Sequence, residues 1–146
     1  SWVYAARGNN FLKTMLRLGR ERDSLAVVND QIGAPTPARL IALVTLHAWQ
    51  QRIAPGVYHL APNGTTSWHG FASEIFKHAT EAGVTLALSP SQVRGIPTTE
   101  YPTPATRPLN SRLALNKLET ALGVTLPHWQ DQLALTLKEH LAGVSL

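Results

Sequence analysis

Three short apolar runs, residues 1–5, 24–28 and 56–62, have the make-up of strands, and each is divided from the next by a stretch long enough for a helix. Three strands spaced this far apart cannot bond through hairpins, and so small a sheet is marginal on its own. The spacing therefore predicts strands that extend or cover a larger sheet. The first run, SWVYA, is expected to pair with a sheet supplied by residues outside this chain. The overall class is α/β of a mixed, mainly helical kind.

Between the strands the apolar period changes from two to between three and four. Phe11, Leu12, Met15, Leu16 and Leu18 recur at helical spacing, with Asn9 or Asn10 as the cap. A loop, QIGAPTP, follows SLAVVND. Thr36 as N-cap and Pro37 at the first helical position then predict a helix through Leu40, Ile41, Val44 and Leu46 to about Arg52. Asn63-Gly64 reads as a turn, and Ser67 as the cap of a helix carrying Trp68, Phe71, Ile75 and Phe76 that Gly83 stops. The stretch 86–108 reads as a Pro-rich loop, long enough to serve a site or lie over another surface. Two short helices close the chain, one at about 116–122 with Gly123 past its end and one after Pro127.

Composition narrows the function classes. Charged residues make up 15% of the 146, below the roughly 25% of ordinary soluble domains, and there are four Trp. Apolar surface facing a partner and simple compositional drift both account for this. The net charge of +4 is spread along the chain, and only Arg17 to Arg22 is dense. A nucleic-acid reader shows clustered cations with interleaved aromatics, so nucleic acid is not an expected partner, whereas one anionic small molecule suits the mild excess. The absence of Cys rules out disulfides and fits a reducing compartment, and no apolar run approaches a bilayer span. Cytoplasmic location without a membrane partner is the expectation.

The residues show no self-sufficient active site. Glycines occur singly, without a phosphate-cradling fingerprint; the six His have no metal-ligand spacing; no nucleophile elbow is present. What the chain offers are loop clusters suited to a flat, polar anion. Trp2 provides a stacking face or a core side chain. NDQIGAPT sets Gln31 just before a helix N-terminus, which serves either phosphate binding or a plain turn and cap. Arg107 and Arg112 stand in a rigid Pro-rich frame near Tyr101, and a guanidinium fork matches a diphosphate.

The segments SWVYAARGNNF, VVNDQIGAPTPARLIA, GVYHLAPNGTTSWHGFASEIF, YPTPATRPLNSRL and KLETALGVTLPHWQDQL, in this order and at about this spacing, resemble the dTDP-4-dehydrorhamnose reductases. These are extended short-chain dehydrogenase/reductase enzymes. The resemblance covers essentially all 146 residues but only the back half of such an enzyme. It implies one C-terminal substrate-binding domain over 1–146 that starts at the last strand region of an NAD(P)-binding Rossmann domain absent from this chain. That front half carries the Gly-rich cofactor loop, a Thr-Asp pair and the Tyr-x-x-x-Lys pair. Tyr4, Tyr58 and Tyr101 are followed four residues on by Gly8, Pro62 and Ala105, so no such pair is here, and the chain alone is expected to be inactive.

By the same resemblance the parent enzyme reduces the C4 ketone of dTDP-4-dehydro-L-rhamnose with NADPH or NADH, giving dTDP-L-rhamnose for cell-surface polysaccharide. The implied substrate-binding residues are Trp2, Asn10, Gln31, Pro35, Thr36, Arg107 and Asn110. Trp68, Phe71, Leu118 and Trp129 look like packing. Some members hold magnesium at a homodimer interface with a carboxylate just after APT-x-x; this chain has Arg39 there, which argues against a metal-bridged dimer. His128 stands where members often have Asp, removing a carboxylate from a helix start. A non-catalytic regulatory subunit of the same superfamily is the alternative, and a small nucleic-acid- or anion-binding domain is the third reading.

Overall fold

In the computed structural model, residues 1–143 are described, and five helices carry the fold. In chain order the elements are β1 (Val3–Tyr4), α1 (Phe11–Glu21), β2 (Leu25–Val28), β3 (Ile32–Gly33), β4 (Thr36–Pro37) and α2 (Ala38–Gln51). Then come β5 (Thr66–Ser67), α3 (Trp68–Glu81), β6 (Val93–Ile96), α4 (Asn116–Leu122) and α5 (Trp129–Leu141). The strands form three separate two-stranded ladders rather than one sheet. Pieces this small hold together only by packing on helices.

Local chemistry explains most helix ends. Asn10 Oδ1 accepts from Lys13 N and starts α1; Ser67 Oγ accepts from Gly70 N and starts α3. Gly83 (φ 82°) and Gly123 (φ 65°) take the left-handed conformation past α3 and α4. The α2 start differs from expectation. Thr36 is not its cap: it lies in β4 with its hydroxyl donating to Ala34 O, and α2 begins at Ala38 without a side-chain cap. His128 is the N-cap residue of α5, but its side chain makes no cap hydrogen bond.

Two strand expectations are corrected. Residues 56–62 form no strand. Pro55 precedes them and Pro62 ends them, Val57 is 78% exposed, and the Tyr58 hydroxyl donates back to Ala54 O. Conversely, the stretch 86–108 is not all loop: Val93–Ile96 pairs in parallel with β2, Leu25 opposite Val93 through Val28 opposite Ile96. The first strand finds a partner inside the chain, with Val3 opposite Thr36 and Tyr4 opposite Pro37.

Helix α3 is central, touching α1, α5, β2, β5 and β6. Around it lies the larger core, including Leu12, Leu16, Phe71, Ile75, Phe76 and Leu133, all essentially inaccessible. α1 reaches α3 at Gly19, where an added Cβ would stand 2.7 Å from Phe76 Cε1. A smaller core joins α2 and α4 through Leu40, Val44, Leu118 and Leu122. Glu119 stitches this part to the α5 entry: it accepts from Leu126 N and Asn63 Nδ2, each at 2.8 Å, and those bonds hold its carboxyl below the usual range.

Candidate functional site

The β1 and β4 pairing aims the chain start at a cleft. Trp2 O accepts from Thr36 N at 3.1 Å, and Thr36 is fully buried, so Trp2 is anchored through its backbone. Its φ of 53° is left-handed, a conformation that costs a bulky residue on the order of 1–3 kcal/mol. In that conformation its indole stacks on Trp68, with ring centroids 3.9 Å apart and planes 16° from parallel. Gly33 makes room, since a Cβ there would sit 2.9 Å from Trp2 Cε2. The stack continues inward: Trp68 meets Phe11 at 4.8 Å, and Phe11 meets Phe71 at 5.3 Å. One end of the ladder is in the core and the other reaches the surface, which holds the outer rings without closing them off.

The cleft beside this stack has a volume of about 740 Å³, within the range of small-molecule sites. Phe11, Met15, Leu18 and Val27 give it apolar surface from α1 and β2. Tyr101, Thr103 and Arg107 come from the Pro-rich segment, and Trp2, Gln31 and Trp68 also line it. The Arg107 guanidinium makes no hydrogen bond or ion pair among the described residues and is solvent-accessible. A free guanidinium at an aromatic cleft can take a phosphate or diphosphate group. A smaller depression, about 520 Å³, lies between the C-terminal parts of α3 and α5. No Phe, Tyr or Trp is among its lining residues, and its His78 already contacts Glu74 and Glu81.

The seven residues expected at the site separate by role. Trp2, Gln31 and Arg107 meet in the cleft. Pro35 and Thr36 are buried behind it and support Trp2 from the backbone. Asn10 is occupied with the chain: beyond its cap to Lys13 N, its Nδ2 donates to Ala5 O and Arg7 O. Asn110 bridges Ile32, and its Oδ1 accepts from Arg112 N. Of the two readings of NDQIGAPT, the structure favours the turn: residues 33–37, leading into α2, are buried, and of this stretch only Gln31 lines the cleft.

Trp68 both packs against the larger core, as its apolar spacing implies, and lines the cleft, which no local pattern announces. Phe71, Leu118 and Trp129 are packing side chains, all 5% exposed or less.

Gln31 is nine-tenths buried, and both ends of its amide are held. Its Oε1 accepts from Trp68 Nε1 at 3.1 Å, and its Nε2 donates to Thr98 Oγ1 at 3.1 Å. Asp30 grips Thr98 by the backbone N–H and the hydroxyl; these bonds, the hydroxyl's first, hold its carboxyl below the usual range.

Residues 1–142 match the family model described as the RmlD substrate binding domain. The chain belongs to this family. Similar proteins include a dTDP-4-dehydrorhamnose reductase of Shigella flexneri, 52% identical over 136 residues, which covers 89% of this chain and 44% of that protein. One of Burkholderia thailandensis is 44% identical over 150 residues, covering 97% and 50%. Among solved structures, the dTDP-4-dehydrorhamnose reductase of Bacillus anthracis in complex with NADP matches with a TM-score of 0.84 at 34% identity. That match covers 95% of this chain and 46% of that one. This RmlD-family chain spans about half the length of the curated relatives it matches.

Two groups implied by the resemblance meet this chain differently from the substrate. For magnesium, position 39 is a cation: the Arg39 guanidinium is ion-paired with Glu139 of α5. Among the described residues no cluster of three or more His, Asp or Glu is placed to hold a metal. A guanidinium cannot ligate a cation, so Arg39 itself supplies no ligand at that position. For the nicotinamide cofactor, no side chain in the RmlD-family cleft belongs to a Gly-rich phosphate loop, so no part in holding it is assigned here. No helix among the described residues is long and apolar enough to cross a membrane.

Proposed function

We propose that this chain is the dTDP-sugar-binding portion, over 1–146, of a dTDP-4-dehydrorhamnose reductase. The observation that carries the reading is the convergence of Trp2, Gln31 and Arg107, which has no partner among the described residues, on one cleft of a chain from the RmlD substrate binding family. The named relatives are reductases, which supports the enzyme over the regulatory subunit.

In the whole enzyme a nicotinamide cofactor, NADPH or NADH, supplies the hydride that reduces the C4 ketone to the alcohol of dTDP-L-rhamnose. The Rossmann portion holds that cofactor and the proton-donating Tyr-x-x-x-Lys pair. This chain's residues bind and orient. The Trp2 indole covers a flat face of the ligand, the Gln31 amide offers its remaining hydrogen-bonding positions, and Arg107 neutralises the diphosphate. Phe11, Met15 and Val27 exclude water, which strengthens those polar contacts. Pro35 and Thr36 act from behind the cleft, and Asn10 and Asn110 hold the loops at its edge. The product serves cell-surface polysaccharide synthesis in the cytoplasm, and any homodimer forms without a magnesium bridge at Arg39.

The test is turnover by the full-length protein carrying this chain, with dTDP-4-dehydro-L-rhamnose and either cofactor. Arg107→Ala should raise KM by about tenfold through loss of a charge-assisted contact. Absence of turnover by the unsubstituted protein, or an unchanged KM, contradicts the reading.

A further inference from the structure

Asp30, Gln31, Trp68 and Thr98 come from three separate stretches of chain and form one line of hydrogen bonds. Trp68 Nε1 donates to Gln31 Oε1 at 3.1 Å. Gln31 Nε2 donates to Thr98 Oγ1 at 3.1 Å, and Thr98 Oγ1 donates to Asp30 Oδ1 at 2.6 Å. The Thr98 backbone N–H also reaches both carboxylate oxygens, at 2.9 and 3.0 Å.

The direction of this line is forced. An indole N–H can only donate, and an ionised carboxylate can only accept. Gln31 must therefore turn its oxygen to Trp68 and its amino group to Thr98. The single Thr98 hydroxyl proton is left for Asp30. Reversing the amide would set a donor against a donor at Trp68. An orientation that is usually ambiguous for glutamine is here fixed by chemistry at both ends.

We propose that Thr98 is a positioning residue for the cleft: clamped by Asp30, its hydroxyl holds the Gln31 amide in the one orientation that retains the Trp68 indole, and thereby sets the Trp2–Trp68 stack. Thr98 does not itself line the cleft. It opens the segment that carries Tyr101, Thr103 and Arg107, so one clamp anchors both the stacked rings and the Pro-rich wall. Only the purpose of the platform rests on the function proposed above; the relay itself is testable without ligand.

The experiment is a proton–nitrogen correlation spectrum of the chain, in which its four indole N–H signals are resolved. Thr98→Val removes both hydroxyl bonds while keeping the branched shape and the backbone N–H to Asp30. The Trp68 indole signal should move, and its exchange with water should quicken by about tenfold, the worth of one hydrogen bond. The Trp49 and Trp129 signals should stay in place, and Thr98→Ser should restore Trp68. A Trp68 signal that ignores Thr98→Val, or that Thr98→Ser does not restore, overturns the proposal.

If Thr98→Val does not fold, the unsubstituted protein decides. Proton contacts from the Gln31 amino group to Thr98 support the relay, and contacts from that group to the Trp68 indole proton overturn it. Addition of dTDP separates the two ideas. With the relay intact, Trp2 and Trp68 signals that do not respond to dTDP count against the ligand reading alone.

Discussion

Gly33→Ala puts the geometry of the indole platform to a quantitative test. Gly33 lies in β3, and the strain of the substitution is steric rather than conformational. An added Cβ would meet three atoms of the Trp2 indole, Cε2 at 2.9 Å, Cζ2 at 3.1 Å and Nε1 at 3.2 Å. Ordinary van der Waals contact begins near 3.4 Å, so the ring must yield by 3.4 − 2.9 = 0.5 Å. It cannot do so without changing its overlap with Trp68, which it meets at a centroid distance of 3.9 Å. Overpacking of this kind costs about 1–3 kcal/mol, and the partial exposure of Trp2 places this case at the low end. About 1 kcal/mol spent at the platform corresponds to a loss of roughly fivefold in ligand affinity. Stacked indoles couple to give a paired circular dichroism signal in the far ultraviolet, which should change in Gly33→Ala, and a dTDP titration followed by Trp fluorescence should shift by that factor. An unchanged spectrum together with unchanged affinity refutes the packing argument.

Gly19→Ala should lower stability in urea by about 1–2 kcal/mol, because the clash with Phe76 in a closed core outweighs the gain of up to about 1 kcal/mol in helix propensity. Tyr4→Phe should leave stability unchanged or raise it by up to about 1 kcal/mol. The Tyr4 hydroxyl is buried without a properly placed partner, beside a Thr136 hydroxyl that already donates to Gln132 O, and burial pushes the Tyr4 phenol up. Asp30 gives a pH signature. Its folded pKa lies below its unfolded one, so its stabilising effect is complete above the ordinary carboxylate pKa of about 3.9 and is lost as pH falls through the folded value. Urea melts of the unsubstituted protein and Asp30→Asn should differ by a constant amount at neutral pH and converge only in that acid window; a difference independent of pH would be contrary.

The helices were legible because their signals are local. α1 and α3 announce themselves through apolar spacing and through Asn10 and Ser67, which cap within three residues. β6 was not legible. Its sequence, Val-Arg-Gly-Ile, has no alternation, and its partner β2 lies 68 residues earlier in register. At Gly95 a Cβ would stand 2.7 Å from Asn29 Nδ2, so a larger residue would push that exposed amide aside, a contact no local pattern announces. Residues 56–62 misled for the opposite reason, with strand-like composition and no strand beside them.

At the site, Trp2 and Arg107 could be named from the resemblance because each sits in a distinctive stretch. The Gln31 network could not, since its bonds span 37 and 67 residues. Asn10 and Asn110 show the converse. The Asn10 side chain caps α1 and bonds local backbone, and the Asn110 oxygen accepts from Arg112 N, roles that look the same in sequence as a side chain awaiting ligand.

The most direct measurement is calorimetric titration of dTDP-L-rhamnose into the protein and into Trp2→Ala. The account predicts saturable binding to the first, weakened at least about tenfold in the second by loss of one aromatic face. Equal binding by the two, or no binding by either, would contradict it.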